Sequence, residues 1–253
     1  MKVYLDNGST SFPKPKAVAD SIYNYLINNG GNPGRSNHEK SLEANRILYD
    51  TRNEICDFFN FKKTENVIFT NNITSSLNIL INGIIKDGDH IITSSMEHNA
   101  VIRPLYNLSQ NLNIKLDIAQ ANSQGLVDIN SIKSLIKPNT KLIIITHASN
   151  VTGSIQPIKD IGKLCKENNI FFILDSAQSA GVLDIDFEEF FLDALAFTGH
   201  KSLLGPQGIG GFIINNKLNV VAVDGFRLAW RSSFLNVQAN NFSAVIPGKT
   251  LNE

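Results

Sequence analysis

Short apolar runs rich in isoleucine, valine and phenylalanine alternate along the chain with amphipathic stretches, and glycine, asparagine or aspartate marks each change. This alternation is typical of repeated strand–helix–strand units. Several of the runs are apolar almost throughout, as are the strands of a parallel sheet that is covered on both faces. The pattern therefore predicts a three-layer α/β fold with a mostly parallel central sheet, whose middle holds strands at 67–70, 90–93, 115–118, 142–147, 170–174 and 193–197.

Apolar positions at helical spacing predict the connecting helices. They fall around 15–28, 40–59, 75–85, 100–111, 130–136 and 158–168. In the last of these, Ile158, Ile161, Leu164 and Cys165 share one face, and Pro157 stands just before the helix, where its missing N–H costs nothing.

The pattern changes near residue 219. From 220 to 253, apolar residues, asparagine, serine and arginine follow one another without a clear period, in a stretch that contains the only tryptophan, Trp230. We therefore expect a large domain at 1–219 and a tail at 220–253. The tail is either a poorly patterned helix and strand or a stretch that does not belong to the fold.

Composition and charge exclude several classes of protein. A chain of 253 residues that is 42% apolar and 18% charged is typical of a globular protein of one to two domains. No apolar run approaches the roughly 18 residues of a spanning helix, and the amino terminus lacks the apolar core of a signal peptide, so we expect a cytoplasmic protein without a membrane partner. Lysine plus arginine and aspartate plus glutamate number 23 each, which gives no excess charge for nucleic acid.

Two charged residues at strand ends carry the first candidate chemistry. Asp175 follows the apolar run 171–174, and Lys201 lies in an apolar, glycine-rich stretch after the strand at 193–197. The aspartate either caps a following helix or faces a cationic ring nitrogen. The lysine is either a surface residue on a mobile loop or a buried amine, which burial would make nucleophilic and able to form a Schiff base.

Polar residues come after two further strands. The hydroxyl cluster around Thr74 stands at a predicted helix amino terminus, where N–H and O–H donors can bind a phosphate, although simple N-capping explains it equally well. His98 lies after the strand at 90–93, and a lone histidine there is either structural or functional. Because carboxyl ends of parallel strands face one crevice, we expect Thr74, His98, Asp175, His200 and Lys201 to flank a single cleft.

Together these groups describe one ligand. Pyridoxal 5′-phosphate is bound by three kinds of protein group: a phosphate site, an acidic partner for its cationic heteroaromatic ring and a lysine that captures its aldehyde. The Asp175 and Lys201 pair therefore predicts that cofactor, and no metal site is predicted because the two cysteines cannot form a CxxC pair.

Seven segments, in this order, resemble the cysteine desulfurases within the class V aminotransferase group of pyridoxal-phosphate enzymes. The likeness covers roughly residues 2–219. The segments are YLDNGSTSFPKP (4–15), GNPGRSNHEKSLEANR (31–46), VIFTNNITSSLN (67–78), SSMEHNAVIRP (94–104), HASNVTGSIQPI (147–158), LDSAQSAG (174–181) and FTGHKSLLGPQGIGG (197–211).

The resemblance implies a role for each matching residue. Lys201 resembles the Schiff-base lysine, Asp175 the partner of the pyridinium nitrogen, and His98 the imidazole that stacks on the ring and helps to move protons. Gln178 and Asn150 resemble the amides that contact the ring. Thr74, Thr198 and His200 resemble the phosphate ligands. Where the family has Gly-Thr-Thr or Gly-Ala-Thr, this chain has Asn72–Ile73–Thr74, which predicts a weaker phosphate site.

The chain departs from the family on the carboxyl-terminal side of the lysine. The family uses a cysteine on a mobile loop as a second nucleophile, a small carboxyl-terminal domain with an arginine for the substrate carboxylate, and a Gly-Thr-Gly segment across the dimer. Cys56 and Cys165 both stand among core-type residues, and Arg227 and Arg231 lie in surroundings unlike the family's arginine segment. A truncated or frame-shifted gene is the simplest account of the tail.

Several interpretations therefore stay open. The resemblance implies removal of sulfur from L-cysteine to give alanine, with sulfur passed to an acceptor protein for iron–sulfur cluster or related biosynthesis, by a homodimeric enzyme. A chain without the persulfide cysteine could instead be an inactive fragment that binds the cofactor. It could also carry another class V activity, such as transamination or selenocysteine lysis.

Overall fold

A computed structural model describes residues 3–34 and 37–215 of the chain, together with the backbone of two later strands. Its helices are α1 Lys16–Asn24, α2 Glu39–Phe58, α3 Ile73–Ile84, α4 Asn99–Asn111, α5 Ile129–Leu135 and α6 Ile158–Glu167. Its strands are β1 Val67–Thr70, β2 His90–Ser94, β3 Lys115–Ala119, β4 Thr140–Thr146, β5 Phe171–Asp175, β6 Ala194–Thr198, β7 Gly210–Ile214, β8 Asn219–Asp224 and β9 Arg227–Ser232.

The first seven strands form one mostly parallel sheet, in the order β1-β7-β6-β5-β4-β2-β3. The strand pairs β3–β2, β2–β4, β4–β5 and β5–β6 are parallel. Strand β7 runs antiparallel to both of its neighbours, β1 and β6. The predicted mostly parallel sheet is confirmed, and all six predicted strands belong to it. The prediction that all six lie near its middle is wrong for β1 and β3, which form the two edges.

Strand β7, which is not among the six predicted strands, separates β1 from β6. Its first two residues are the last glycines of the glycine-rich segment 205–211. A Cβ atom at Gly211 would lie 2.5 Å from the ring of Phe197 and 2.6 Å from the carbonyl oxygen of Ile68. The glycine therefore permits close packing between the two neighbouring strands.

Apolar side chains alternate along the strands and form a core on each face of the sheet. In β4, Leu142 and Ile144 pack against α3 and α4, whereas Ile143 and Ile145 pack toward the opposite face, where α6 contributes its apolar side. All four strand residues are fully buried. The three predicted layers, with helices on both faces, are therefore confirmed.

Capping residues decide where the helices next to the sheet begin. Helix α3 starts at Ile73, two residues before the predicted 75, because the side chain of Asn72 accepts a hydrogen bond from the Ser75 N–H at 2.9 Å. His98 caps α4 in the same way, since its Nδ1 accepts from the Ala100 N–H at 3.0 Å. Both caps lie after the carboxyl ends of strands, and both residues line the same cleft.

The stretch after residue 215 is described only in part. Strands β8 and β9 pair with each other in a two-stranded antiparallel sheet, so the alternative of a helix and a strand is wrong for these residues. The side chain of Trp230 and residues 233–253 lie outside the described residues. Of the helices described, none combines the length and the apolar character that crossing a membrane requires.

Candidate functional site

A cleft of about 250 Å³ opens at the carboxyl ends of the parallel strands. Small-molecule sites usually measure about 300–1,000 Å³, so the cleft suits a ligand at the small end of that range. The structure brings every sequence-predicted site residue to its lining: Thr74, His98, Asn150, Asp175, Gln178, Thr198, His200 and Lys201. In the ranges 3–34 and 37–215, no three His, Cys, Asp or Glu side chains are grouped so that they could hold a metal ion.

Asp175 is the last residue of β5 and stands at the base of the cleft. It pairs in register with Thr146 of β4 and Ala196 of β6, and it is 2% exposed. A turn comes after it rather than a helix, and its Oδ1 accepts from the Ala177 N–H at 2.9 Å. Burial raises the pKa of this carboxyl, while the Ala177 N–H and the nearby His98 and Lys201 oppose that rise. A cation placed in the cleft would favour the charged carboxylate.

Lys201 enters the cleft from the loop after β6 and is half-buried there, so the alternative of a surface lysine is wrong. Burial lowers the pKa of its amine, and the opposite charge of Asp175 resists that change. A lowered pKa increases the fraction of neutral amine, which is the nucleophilic form. The pair therefore places an amine with a lowered pKa and a buried carboxyl group in one cleft.

The loop that carries Lys201 is tightly folded. The Leu204 N–H donates to the Lys201 carbonyl at 2.9 Å, and the Gly205 N–H donates to the Gly199 carbonyl at 2.7 Å. A Cβ at Gly181, whose φ is +90°, would lie 2.4 Å from the Ser202 carbonyl oxygen. Glycine at that position therefore allows the loop to lie close against the chain on the carboxyl-terminal side of Asp175.

Further hydrogen-bond donors line the cleft at the start of α3 and at the end of β6. Thr74 lies in the first turn of α3, with its side chain exposed to the cleft, and Thr198 Oγ1 lies 3.0 Å from His200 Nδ1. Burial lowers the pKa of His200, and the charges of Lys201 and Lys14 lower it further. Hydroxyl groups beside a helix amino terminus are suited to a phosphate.

Two close-packed residues, Gly210 and Ile73, lie beside the start of α3 at the cleft. A Cβ at Gly210 would lie 2.7 Å from the backbone of Asn72, so glycine lets β7 pass close to the start of α3. Ile73, the apolar replacement expected to weaken the site, is 8% exposed and packs into the core on the α3 face of the sheet. The side chain of Thr74 remains at the cleft.

His98, Gln178 and Asn150 stand around the mouth of the cleft. His98 is both structural and at the site, because its Nδ1 caps α4 while the imidazole lines the cleft. Gln178 Nε2 donates to the Gly8 carbonyl at 3.0 Å, which joins the amino-terminal segment to the rim. Asn150 is exposed at the rim.

Sequence reasoning missed Glu97, although it directly precedes His98. Its Oε1 accepts from Ser94 Oγ at 2.6 Å and from the Thr146 N–H at 2.9 Å, whereas its buried Oε2 has no hydrogen-bond partner among the described residues. Burial raises the pKa of Glu97 to about 8, and the neighbouring Asp175 adds to the rise. The only signal for Glu97 in the sequence is its position after a strand. The burial of its carboxyl group could not be predicted from the sequence. Glu97 itself does not line the cleft but bonds to Thr146, which does; Ser9, Asn72 and Thr146 line it without having been predicted.

We expect Glu97→Gln to flatten the dependence of stability on pH. Because the folded pKa lies near 8 and the ordinary value near 4.5, the wild type binds more protons when folded and loses stability as pH rises through that window. Glutamine keeps the Oε1 acceptor and does not titrate. Between pH 5.5 and 7.5, urea unfolding of the cofactor-free protein should lose about 2 kcal/mol more in the wild type than in the variant. Glu43→Gln, at an exposed position of α2, is the control, and equal pH slopes for wild type and Glu97→Gln would contradict this assignment.

Both cysteines lie in the core, as predicted. Cys56 is 3% exposed and Cys165 is fully buried, and both pack in the core cluster that includes α6. Burial raises the pKa of Cys56 to about 11, and it also raises the pKa of Cys165. Thiols of this kind are poor nucleophiles, and neither lines the cleft.

The amino-acid sequence is similar to known desulfurases. The family model described as aminotransferase class-V matches residues 3–224. Among curated proteins, the chain is 36% identical over 224 residues to "Cysteine desulfurase IscS" of Buchnera aphidicola subsp. Schizaphis graminum, an alignment that covers 86% of this chain and 54% of the relative. It is 34% identical over 218 residues to "Probable cysteine desulfurase" of Pyrococcus abyssi, with 85% of this chain and 54% of the relative covered.

Solved structures share the fold. The apo structure of a cysteine desulfurase from Thermococcus onnurineus NA1 superimposes with a TM-score of 0.81 at 31% identity, covering 90% of this chain and 60% of that one. A structure titled "SspA in complex with cysteine" gives a TM-score of 0.78 at 30% identity, covering 84% of this chain and 61% of that one. The chain spans about half the length of the curated relatives it matches.

Proposed function

Because this chain belongs to the class V aminotransferase family, we propose that it is a cysteine desulfurase-like protein whose cleft holds pyridoxal 5′-phosphate and takes an amino acid such as L-cysteine, but whose described cleft offers no thiolate for the removal of sulfur. The observation that carries the proposal is the meeting of Asp175 and Lys201 in one cleft, with the Thr74 end of α3 beside them. Residues 1–219 would form the cofactor-binding domain, and 220–253 a tail outside it.

The donor set fits this cofactor. An aldehyde needs an amine, which Lys201 supplies, and a cationic ring nitrogen needs a buried carboxylate, which Asp175 supplies. A phosphate needs N–H and O–H donors, which Thr74 and the Thr198–His200 pair supply in the same cleft. When bound, pyridoxal phosphate supplies an electron sink for the charge left at a substrate carbon.

Each residue then has one task. Asp175 holds a proton on the ring nitrogen, because its buried carboxylate is stabilised by a nearby positive charge. Lys201 would hold the cofactor through its amine, and the same amine would be placed to accept a proton at the substrate carbon. His98, whose ring is fixed by its bond to the Ala100 N–H, moves protons at the mouth of the cleft, and Gln178 and Asn150 orient the ring through their amides.

A second candidate is an inactive fragment that binds the cofactor without desulfurating cysteine. It is favoured by the burial of Cys56 and Cys165, since removal of sulfur needs an accessible thiolate. Other class V reactions, such as transamination or selenocysteine lysis, would use the same cofactor in the same cleft and do not always need that thiolate.

A second copy of the chain and, for the desulfurase function, a sulfur-acceptor protein are the proposed partners. Helix α1 contains no buried residue, and the apolar residues Ile22, Leu26 and Ile27 in and after it are 42%, 68% and 64% exposed. Exposed apolar surface of this kind supports a partner protein. We propose a cytoplasmic location, in line with the lack of an apolar run of spanning length in the sequence.

The test is exchange of the Cα hydrogen of L-alanine for deuterium, followed by NMR after addition of pyridoxal phosphate. The wild type should exchange it, whereas Asp175→Ala should still bind the cofactor but exchange at least about 100-fold more slowly, because an electrostatic group that stabilises developing charge is lost. Asp184→Ala, at an exposed position, is the control. Cofactor binding without exchange in the wild type would favour the inactive fragment, and absence of binding would overturn the proposal.

A further inference from the structure

The amino-terminal segment crosses the loop that carries Lys201 and holds its backbone. The carbonyl oxygen of His200 accepts from the Ser11 N–H at 3.0 Å, from Thr10 Oγ1 at 2.9 Å and from Lys14 Nζ at 2.6 Å. Ser11 Oγ also lies 3.2 Å from this oxygen. A carbonyl oxygen has two lone pairs, so these donors are more than it ordinarily receives. The peptide between His200 and Lys201 is therefore held at its oxygen from outside the loop.

The next carbonyl is held by the same segment. Ser11 Oγ donates to the Lys201 carbonyl at 2.7 Å and accepts from Lys14 Nζ at 2.6 Å. Ser11 is 7% exposed, so water does not readily replace these bonds. Lys14, Ser11 and the two consecutive carbonyls thus form one connected network beneath the Lys201 side chain.

Lys14 brings a charge as well as donors. Within the described residues it has no carboxylate within ion-pair distance, so its ammonium is balanced only by carbonyl and hydroxyl oxygens. Hydrogen bonds from a charged donor are about twice as strong as neutral ones. The neighbouring Lys16 differs, because it is exposed and pairs with Asp20 at 2.6 Å.

We propose that Lys14 is a positioning residue that, together with Ser11, locks the His200–Lys201 backbone and so fixes the Lys201 amine and the His200 imidazole in the cleft that would hold the cofactor. The identity of the ligand in this inference rests on the proposed function, whereas the contacts of Lys14 and Ser11 do not depend on it. It predicts that loss of the Lys14 ammonium loosens the loop and weakens cofactor binding, although Lys14 does not line the cleft.

The first measurement is hydrogen exchange of the cofactor-free protein. In Lys14→Met, the amides of Leu204 and Gly205, which close the loop, should exchange about 10- to 100-fold faster than in the wild type, as expected for loss of one charge-assisted hydrogen bond. Lys16→Met should leave them unchanged. Lys14→Arg, which keeps the charge and donors, should recover most of the protection. Equal exchange in Lys14→Met and Lys16→Met would overturn the proposal.

The second measurement is the dissociation constant for pyridoxal phosphate, measured by absorbance. It should rise about tenfold or more in Lys14→Met and remain unchanged in Lys16→Met. Ser11→Ala removes one member of the network and should act in the same direction, which keeps the test valid if Lys14→Met fails to fold. If the wild type binds no cofactor but Lys14→Met still exchanges faster, the positioning role is retained and the proposed function is refuted. Unchanged affinity in both variants would refute the positioning role.

Discussion

Replacement of Lys201 by alanine is expected to abolish the visible absorption that pyridoxal phosphate acquires when it is bound to a lysine of this protein. Lys201 is the lysine that lines the described cleft, and burial lowers the pKa of its amine so that the nucleophilic form is accessible. The measurement is a titration of each protein with pyridoxal phosphate, and then borohydride reduction and peptide mass spectrometry to locate the attached group.

Lys163→Ala is the matched control, because it removes an exposed lysine on α6 and leaves the cleft intact. The wild type and this control should show the same band and the same modified peptide. If Lys201→Ala retained the band, or if the reduced group were found on another lysine, the assignment of Lys201 would be refuted.

The chain as given is expected not to release sulfide from L-cysteine above the rate that free pyridoxal phosphate gives. Attack on sulfur needs a thiolate next to the substrate, and such placement is worth about 7–11 kcal/mol of the barrier. Both cysteines of the sequence are buried, and burial raises the pKa of Cys56 to about 11. Binding by remote groups does not replace a missing nucleophile.

The assay is sulfide release with a thiol reductant present, for the wild type, Cys56→Ser, Cys165→Ser and the double variant. All four should give the same background rate. Robust turnover that disappears with either substitution would show that a core cysteine becomes exposed during the reaction, and it would contradict the inactive-fragment candidate.

The local pattern of the sequence was sufficient to identify the six predicted strands and the polar residues at their ends. Runs such as 142–147 are apolar because both faces of the strand are covered, and this property is visible without knowledge of the neighbours. The rule that parallel strands present their carboxyl ends to one crevice then brought Thr74, His98, Asp175 and Lys201 to the same place.

The role of a helix cap could not be separated from the role of a site residue by sequence alone. His98 was open to a structural or a functional interpretation, and the structure shows that one nitrogen caps α4 while the ring lines the cleft. Asp175 likewise binds a backbone N–H in the following turn and faces the cleft. The alternatives were therefore not exclusive, because a side chain has more than one polar atom.

Strand order and burial depended on the tertiary structure. Pairing of β7 with β1 joins segments more than a hundred residues apart, and the need for glycine in β7 arises only because Phe197 and Ile68 stand where a Cβ would be. The lack of a hydrogen-bond partner for Glu97 Oε2 within the described part of the chain, and the bond from Lys14 to the His200 carbonyl, are also burial or long-range effects. The sequence by itself determined most of the elements and the chemical groups at their ends, since these depend on near neighbours, whereas only the tertiary structure decided which groups are desolvated and which distant backbone atoms they hold.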